Sequence, residues 1–199
     1  MNATAPNPND RSRRLALWSL ALGMLVGVST VVMPAFRIGD LARHDRFDFE
    51  ILAAAGESGC DPCLLKAVAW RESSFDPAVR GRHGEFGLMQ VRPVVGEEWA
   101  AETRTTPVPP EQLADPALNL RVGAWYLAKA IRQWSQAAEP EPLALAQYNA
   151  GRSSVLKWVD ANALADGEAL LARIQYPSTR AYVRAILGQA EKYRKRGEF

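Results

Sequence analysis

The stretch "AVAWRESSFDP", residues 67–77, places a carboxylate where an apolar side chain belongs. Read as a helix, Leu64, Val68 and Glu72 recur at i, i+4 and i+8, and Phe75 follows three residues later. An unpaired charge on that stripe is costly to bury. Two readings are open. In one, the glutamate lies along the edge of the core and sends its head group to water. In the other, the carboxyl is enclosed by aromatic and aliphatic neighbours, its pKa is raised, and it can donate a proton near neutrality. The second reading is the chemistry of a general acid.

Other chemistries find less support. "GRHGEFG" has the glycines of a phosphate loop, but no strand precedes it and no Lys-Ser/Thr follows. Cys60 and Cys63 form a C-x-x-C, yet the only histidines are His44 and His83, so a closed zinc site lacks a second ligand pair. No nucleophile elbow marks a serine. No metal or other cofactor is implied. A net charge of +2 gives nucleic-acid binding no electrostatic support.

The elements that must position Glu72 read as helices. Phe47, Ile51, Leu52 and Ala55 mark a first one, ended near Gly59. Asp61-Pro62 gives an N-cap and a proline at the first position of the helix that carries Glu72, which stops before Asp76-Pro77. Residues 78–110, broken by several Gly and Pro, read as irregular. Asp115-Pro116 repeats the cap signal ahead of Leu120, Ala124, Leu127, Ile131 and Trp134. Pro140 and Pro142 separate this helix from one that reaches Tyr148-Asn149 and ends at Gly151. Ser153 or Ser154 is the expected cap of a short helix through Trp158. Ser178 is the expected cap of a last helix with Val183, Ile186, Leu187, Ala190 and Tyr193 on its apolar face. No strand alternation appears. The expectation is one all-α domain over residues 46–199.

Ahead of it, residues 1–14 read as a polar tail, 15–36 as an anchor and 37–45 as a linker. The run from Leu15 to Phe36 is uncharged and spans roughly 33 Å as a helix, enough for a bilayer core. Arg11, Arg13 and Arg14 before it favour a cytoplasmic N-terminus, with everything after Arg37 outside the cytoplasm. A cleaved signal peptide is the competing reading. The best cut, after Ala35, would put Met33 at the −3 position, which favours an uncleaved anchor. Ser19, Gly23 and Gly27, spaced by four, form a face on which two such helices could pair as a homodimer.

Five segments taken in order, "AVAWRESSFDP", "GEFGLMQV", "DPALNLRVGAWYL", "LALAQYNAG" and "YPSTRAYV", closely resemble the catalytic domain of lytic transglycosylases of the soluble-lytic (SLT) type, which is related to goose-type lysozyme. The resemblance covers roughly residues 47–195. It implies a lysozyme-like helical domain that acts on peptidoglycan glycan strands in the bacterial periplasm and cleaves the MurNAc–GlcNAc β-1,4 bond with formation of a 1,6-anhydro end. By that resemblance Glu72 is the catalytic acid and base. Ser73 beside it is expected to contact substrate. Gly87, Leu88, Met89 and Gln90 line the cleft, with Gln90 on the sugar. The Tyr148 hydroxyl lies close to the acid, and Asn149 steadies the reacting sugar.

Three departures qualify it. Arg92 replaces an apolar residue near the cleft, and either meets a substrate carboxylate or points to solvent. Ser178-Thr179-Arg180 stands where relatives often have Glu-Thr-Arg. Cys60 and Cys63 have three open readings: a disulfide, free thiols or a redox pair. Asp76 and Glu85, the other carboxylates nearby, match no catalytic position of the family and are expected in a helix-ending turn and a solvent-facing loop. The rival functions are a muramidase that hydrolyses the same bond and a non-catalytic wall-binding component of an envelope-spanning secretion or conjugation machine.

Overall fold

Proline sets much of the architecture. The computed structural model describes residues 45–160, 164 and 166–199. Helix α1 is Asp48–Ser58, α2 Pro62–Ser73, α3 Pro93–Thr103, α4 Pro116–Gln133, α5 Pro140–Ala150, α6 Arg152–Trp158, α7 Gly167–Arg173 and α8 Pro177–Arg196, with a 3₁₀ turn at Pro110–Ala114. Among these, α2, α3, α4, α5 and α8 carry proline in the first turn. There its missing N–H costs nothing and its fixed φ suits the helix.

This accounts for the main difference from the sequence reading. Residues 78–110 are not irregular throughout, because Pro93 opens α3 rather than breaking a segment. Pro140 likewise opens α5. Asp61 and Asp115 do cap α2 and α4, accepting from the N–H groups of Cys63 and Leu118. Ser153, Ser154 and Ser178 cap nothing. The N-cap residues of α6 and α8 are Gly151 and Tyr176, without a side-chain bond. Leu52, expected on the apolar face of α1, is exposed.

Helix α4 packs against α1, α3 and α5, and α8 packs against α2 and α5. Leu64, Leu65, Leu120, Leu127, Leu143, Val183 and Ile186 fill the space between them. The described residues hold no strand longer than isolated bridges, which pair Arg80 with Phe86 and Phe86 with Val91. These tie residues 80–91 into a tight double turn between α2 and α3. Among the described residues no helix is long and apolar enough to cross a membrane. The proposed anchor at 15–36 and the Ser19, Gly23 and Gly27 face lie outside the described residues.

Candidate active site

Glu72 occupies the last turn of α2. The turns before it are buried nearly all round, from Cys63 to Ala69, so the helix carries its carboxyl out of the core rather than along a surface. Ser74 (φ 52°) and Phe75 (φ 61°) then adopt left-handed backbone without being glycine. Such residues cost about 1–3 kcal/mol each. The fully buried Phe75 ring helps to hold the turn.

The Glu72 carboxyl is half-buried and its pKa is pushed up to about 7. Burial is the main cause, and the charge of Glu85 adds to it. A hydrogen bond from Tyr182 and the guanidinium of Arg71 act in the opposite sense. Tyr182 donates to Glu72 Oε1 at 2.6 Å, and Arg71 lies 5.7 Å from the Tyr182 ring centre. Burial, and then the nearby Glu72 charge, raise the Tyr182 phenol well above its ordinary value, so it stays a donor.

Tyr182 is the residue that the sequence reading missed. The Tyr148 hydroxyl, expected close to the acid, donates to the backbone oxygen of Met89 at 2.9 Å. It still feels Glu72, whose charge joins burial in raising its pKa. The missed signal was helical spacing, since Tyr182 lies one turn before Ile186 on the buried face of α8.

The Gly87–Gln90 segment runs beneath the cleft wall and brings Gln90 to it. Gly87 has φ 70°, and a Cβ there would lie 2.7 Å from Asn119 Nδ2, so glycine is required twice over. Leu88 and Met89 are fully buried. Their side chains belong to the core rather than to the cleft, which corrects the expected lining role. Ser73 is corrected too: its buried hydroxyl serves the backbone oxygens of Leu88 at 2.9 Å and Ala69 at 3.1 Å, and so ties α2 to the loop. Asn119 completes the suspension. It accepts from Met89 N–H at 2.8 Å and donates to the oxygens of Phe86 and Leu113, each at 2.7 Å. A polar residue in the apolar stretch of α4 is the same kind of sequence signal as Glu72.

Gln90, also left-handed at φ 48°, donates through Nε2 to Val79 and Gly87 oxygens at 3.2 and 2.9 Å. It faces a cleft of about 550 Å³, together with Arg92, Tyr126, Tyr148 and Asn149. Arg92 is therefore on the cleft wall. Asn149 accepts from Thr179 Oγ1 at 2.7 Å, which orients its amide and leaves the NH₂ as its donating end. Tyr126 packs edge-on against Tyr148 with ring centres 5.5 Å apart. Glu72 adjoins this cleft through its electrostatic neighbours Glu85 and Tyr148.

Cys60 and Cys63 are free buried thiols. They point to different places, Cys60 Sγ to the oxygen of Ala124 and Cys63 Sγ to that of Glu198. The disulfide reading is not what the structure holds. Burial raises both thiols above their ordinary pKa, the reverse of a redox-active cysteine.

An all-helical domain with a half-buried glutamate at a helix end, clasped by a tyrosine beside a polar cleft, defines a lysozyme-like class of site. The model of the transglycosylase SLT domain matches residues 49–170, and the chain belongs to that family. It is 31% identical over 133 residues to a soluble lytic murein transglycosylase of Escherichia coli K12, covering 64% of this chain and 20% of that protein. It is 34% identical over 116 residues to membrane-bound lytic murein transglycosylase F of Desulfosudis oleivorans, covering 57% and 24%. The fold is similar to the 70-kDa soluble lytic transglycosylase of E. coli, solved alone and with bulgecin A, at TM-score 0.67, 26% identity and 75% and 24% coverage. It is also similar to an inactive mutant of the Pseudomonas aeruginosa enzyme, at TM-score 0.66, 27% identity and 73% and 23% coverage. The chain thus spans a fifth to a quarter of the length of these relatives.

Proposed function

We propose that the chain is a peptidoglycan lytic transglycosylase that cleaves the MurNAc–GlcNAc β-1,4 bond and leaves a 1,6-anhydro-MurNAc end. The observation that carries this reading is the Glu72 carboxyl, held near neutral pKa beside a cleft lined by amides and tyrosines. Glu72 first protonates the leaving glycosidic oxygen. The N-acetyl group of the substrate shields the positive charge that develops at C1, so a second carboxylate is not needed for this step. Glu72, now a carboxylate, takes the proton from the C6 hydroxyl of the same sugar as that oxygen attacks C1. The attack is intramolecular and its entropic cost is small. A single group that gives and then takes a proton works best with a pKa near the operating pH. Tyr182 favours the carboxylate state, to which it donates, and stays protonated throughout.

The test is mass analysis of products released from peptidoglycan by the purified chain and by Glu72→Gln. Anhydro ends lie one water below reducing ends. Products from the wild type that include anhydro ends, absent with Glu72→Gln, are expected. Only reducing ends would sink the transglycosylase reading, and unchanged release by Glu72→Gln would sink the acid assignment.

The reading extends to the envelope. In this reading residues 15–36 anchor the chain in the inner membrane and leave the domain in the periplasm. The ten or so residues between that run and Phe47 reach at most roughly 35 Å, so the domain works on glycan near the membrane. Lengthening this connector should broaden the glycan cut in cells, and an unchanged pattern would count against it.

A further inference from the structure

The double turn beside the cleft carries a carboxylate that the single-acid mechanism leaves idle. Glu85 lines the cleft with Gln90, Tyr148 and Asn149, instead of facing bulk solvent as its loop position suggested. Its place is built by the backbone around it. Gly81 N–H donates to the Glu85 backbone oxygen at 2.9 Å, and His83 N–H donates to Glu85 Oε2 at 2.9 Å. The next residue, Phe86, exchanges two 2.9 Å bonds with Val91. Gly81 leaves the necessary room: a Cβ there would collide with Glu85 Oε2 and lie 2.8 Å from Gln90 Oε1. Two acceptor oxygens from different side chains therefore converge over one glycine. The amide nitrogen of Gln90 is already committed to Val79 and Gly87, so its oxygen is the end presented there. Paired acceptors beside a glycan cleft suit a group with two protons to give, and water is the smallest.

We propose that Glu85 is a second working carboxylate of this cleft: with Gln90 Oε1 it holds a water and, as general base, directs that water to C1 in competition with the C6 hydroxyl. The inference rests on the reading of Glu72 as the acid. In both routes the C1–O bond to the leaving sugar breaks as the Glu72 proton passes to its oxygen. In the hydrolytic route the water oxygen bonds to C1 and Glu85 takes one water proton; solvent then returns a proton to Glu72 and removes one from Glu85. In the anhydro route the C6 oxygen bonds to C1 and its proton goes to Glu72. Which nucleophile is delivered decides the product. Glycosidases with two suitably spaced carboxylates hydrolyse by this logic. The influence of Glu85 on the proton affinity of Glu72 places both groups in one electrostatic neighbourhood.

The experiment counts anhydro and reducing ends by mass, against an enzyme-free control, after digestion of peptidoglycan by the full chain in detergent. Wild type, Glu85→Gln, Gly81→Ala and Glu72→Gln are compared. The wild type should release both kinds of end. The ratio of reducing to anhydro ends should fall by about tenfold or more in Glu85→Gln. Gly81→Ala, which displaces the carboxylate without removing it, should move the ratio in the same direction. A wild type that makes anhydro ends alone, or a ratio unmoved by Glu85→Gln, overturns the proposal. Glu72→Gln reports separately: loss of both products supports the acid assignment, and their persistence defeats it whatever the ratio does.

Discussion

Opposed influences meet at Glu72. Burial and Glu85 hold its proton on, while Tyr182 and Arg71 favour its release. With the balance at about 7, kcat/KM should fall as pH rises through that value, read from a pH–rate profile. The same shift makes a stability claim. The folded protein holds this proton more tightly than the unfolded chain, whose carboxyl titrates near 4.5. The stabilisation is full below about 4.5 and is lost as pH rises through about 7. Glu72→Gln removes that dependence, so its melting temperature should gain on wild type between about pH 5 and pH 8, by at most roughly 3 kcal/mol of stability. Parallel melting curves at the two pH values would refute it. Tyr182→Phe deletes a bond that favours the carboxylate. Its alkaline limb should therefore move to higher pH while kcat/KM drops by about tenfold or more. A limb that moved down would mean that Tyr182 acts in some other way.

At the scale of elements, the Gly87–Gln90 loop hangs from three helices. Ser73 of α2 holds Leu88, Asn119 of α4 holds Met89 and Phe86, and Tyr148 of α5 holds the Met89 oxygen. Asn119→Ala removes three hydrogen bonds, leaving Met89 N–H and the Leu113 oxygen without this partner while the Phe86 oxygen keeps Val91 N–H, and should cost about 3 kcal/mol. Chemical denaturation measures it, and a loss below about 1 kcal/mol would show that the loop is held elsewhere. Much of this layer was legible. Apolar spacing found α1, α2, α4, α5 and α8, because those helices bury a face or are capped by Asp-Pro. Helix α3 was hidden because its glycine and proline are signals of turns when read singly, and Pro93 acts differently at a first position. Sequence marked Ser73, Leu88 and Met89 as important but mistook why. A motif gives the order of residues, whereas only packing tells a side chain in the core from one in the cleft. Glu85 was misplaced for the same reason: nothing local says which way a turn between two glycines faces.

Across the whole domain, Lys66 joins parts far apart in the chain. Its fully buried ammonium pairs with Asp48 at 2.7 Å and Glu198 at 2.8 Å, between the rings of Tyr193 and Phe199. Burial alone would lower its pKa, but the two carboxylates outweigh it and hold the charge on. Lys66→Met removes the cation that Asp48 and Glu198 share and should destabilise by about 3 kcal/mol. Because Lys66 is not among the groups that set the Glu72 proton affinity, the alkaline limb of activity should stay in place. A shifted limb would reveal coupling along α2.

The suspension of the Gly87–Gln90 loop has one more consequence. What holds it are contacts to main-chain oxygens and N–H groups, and those are the same whatever side chains the neighbouring positions bear. The residues that line the cleft at 85 and 92 are thereby uncoupled from the scaffold that fixes the path of the chain. Descendants of this fold can exchange the chemistry of the cleft wall as a cassette, one residue at a time, while the acid and its tyrosine stay where they are.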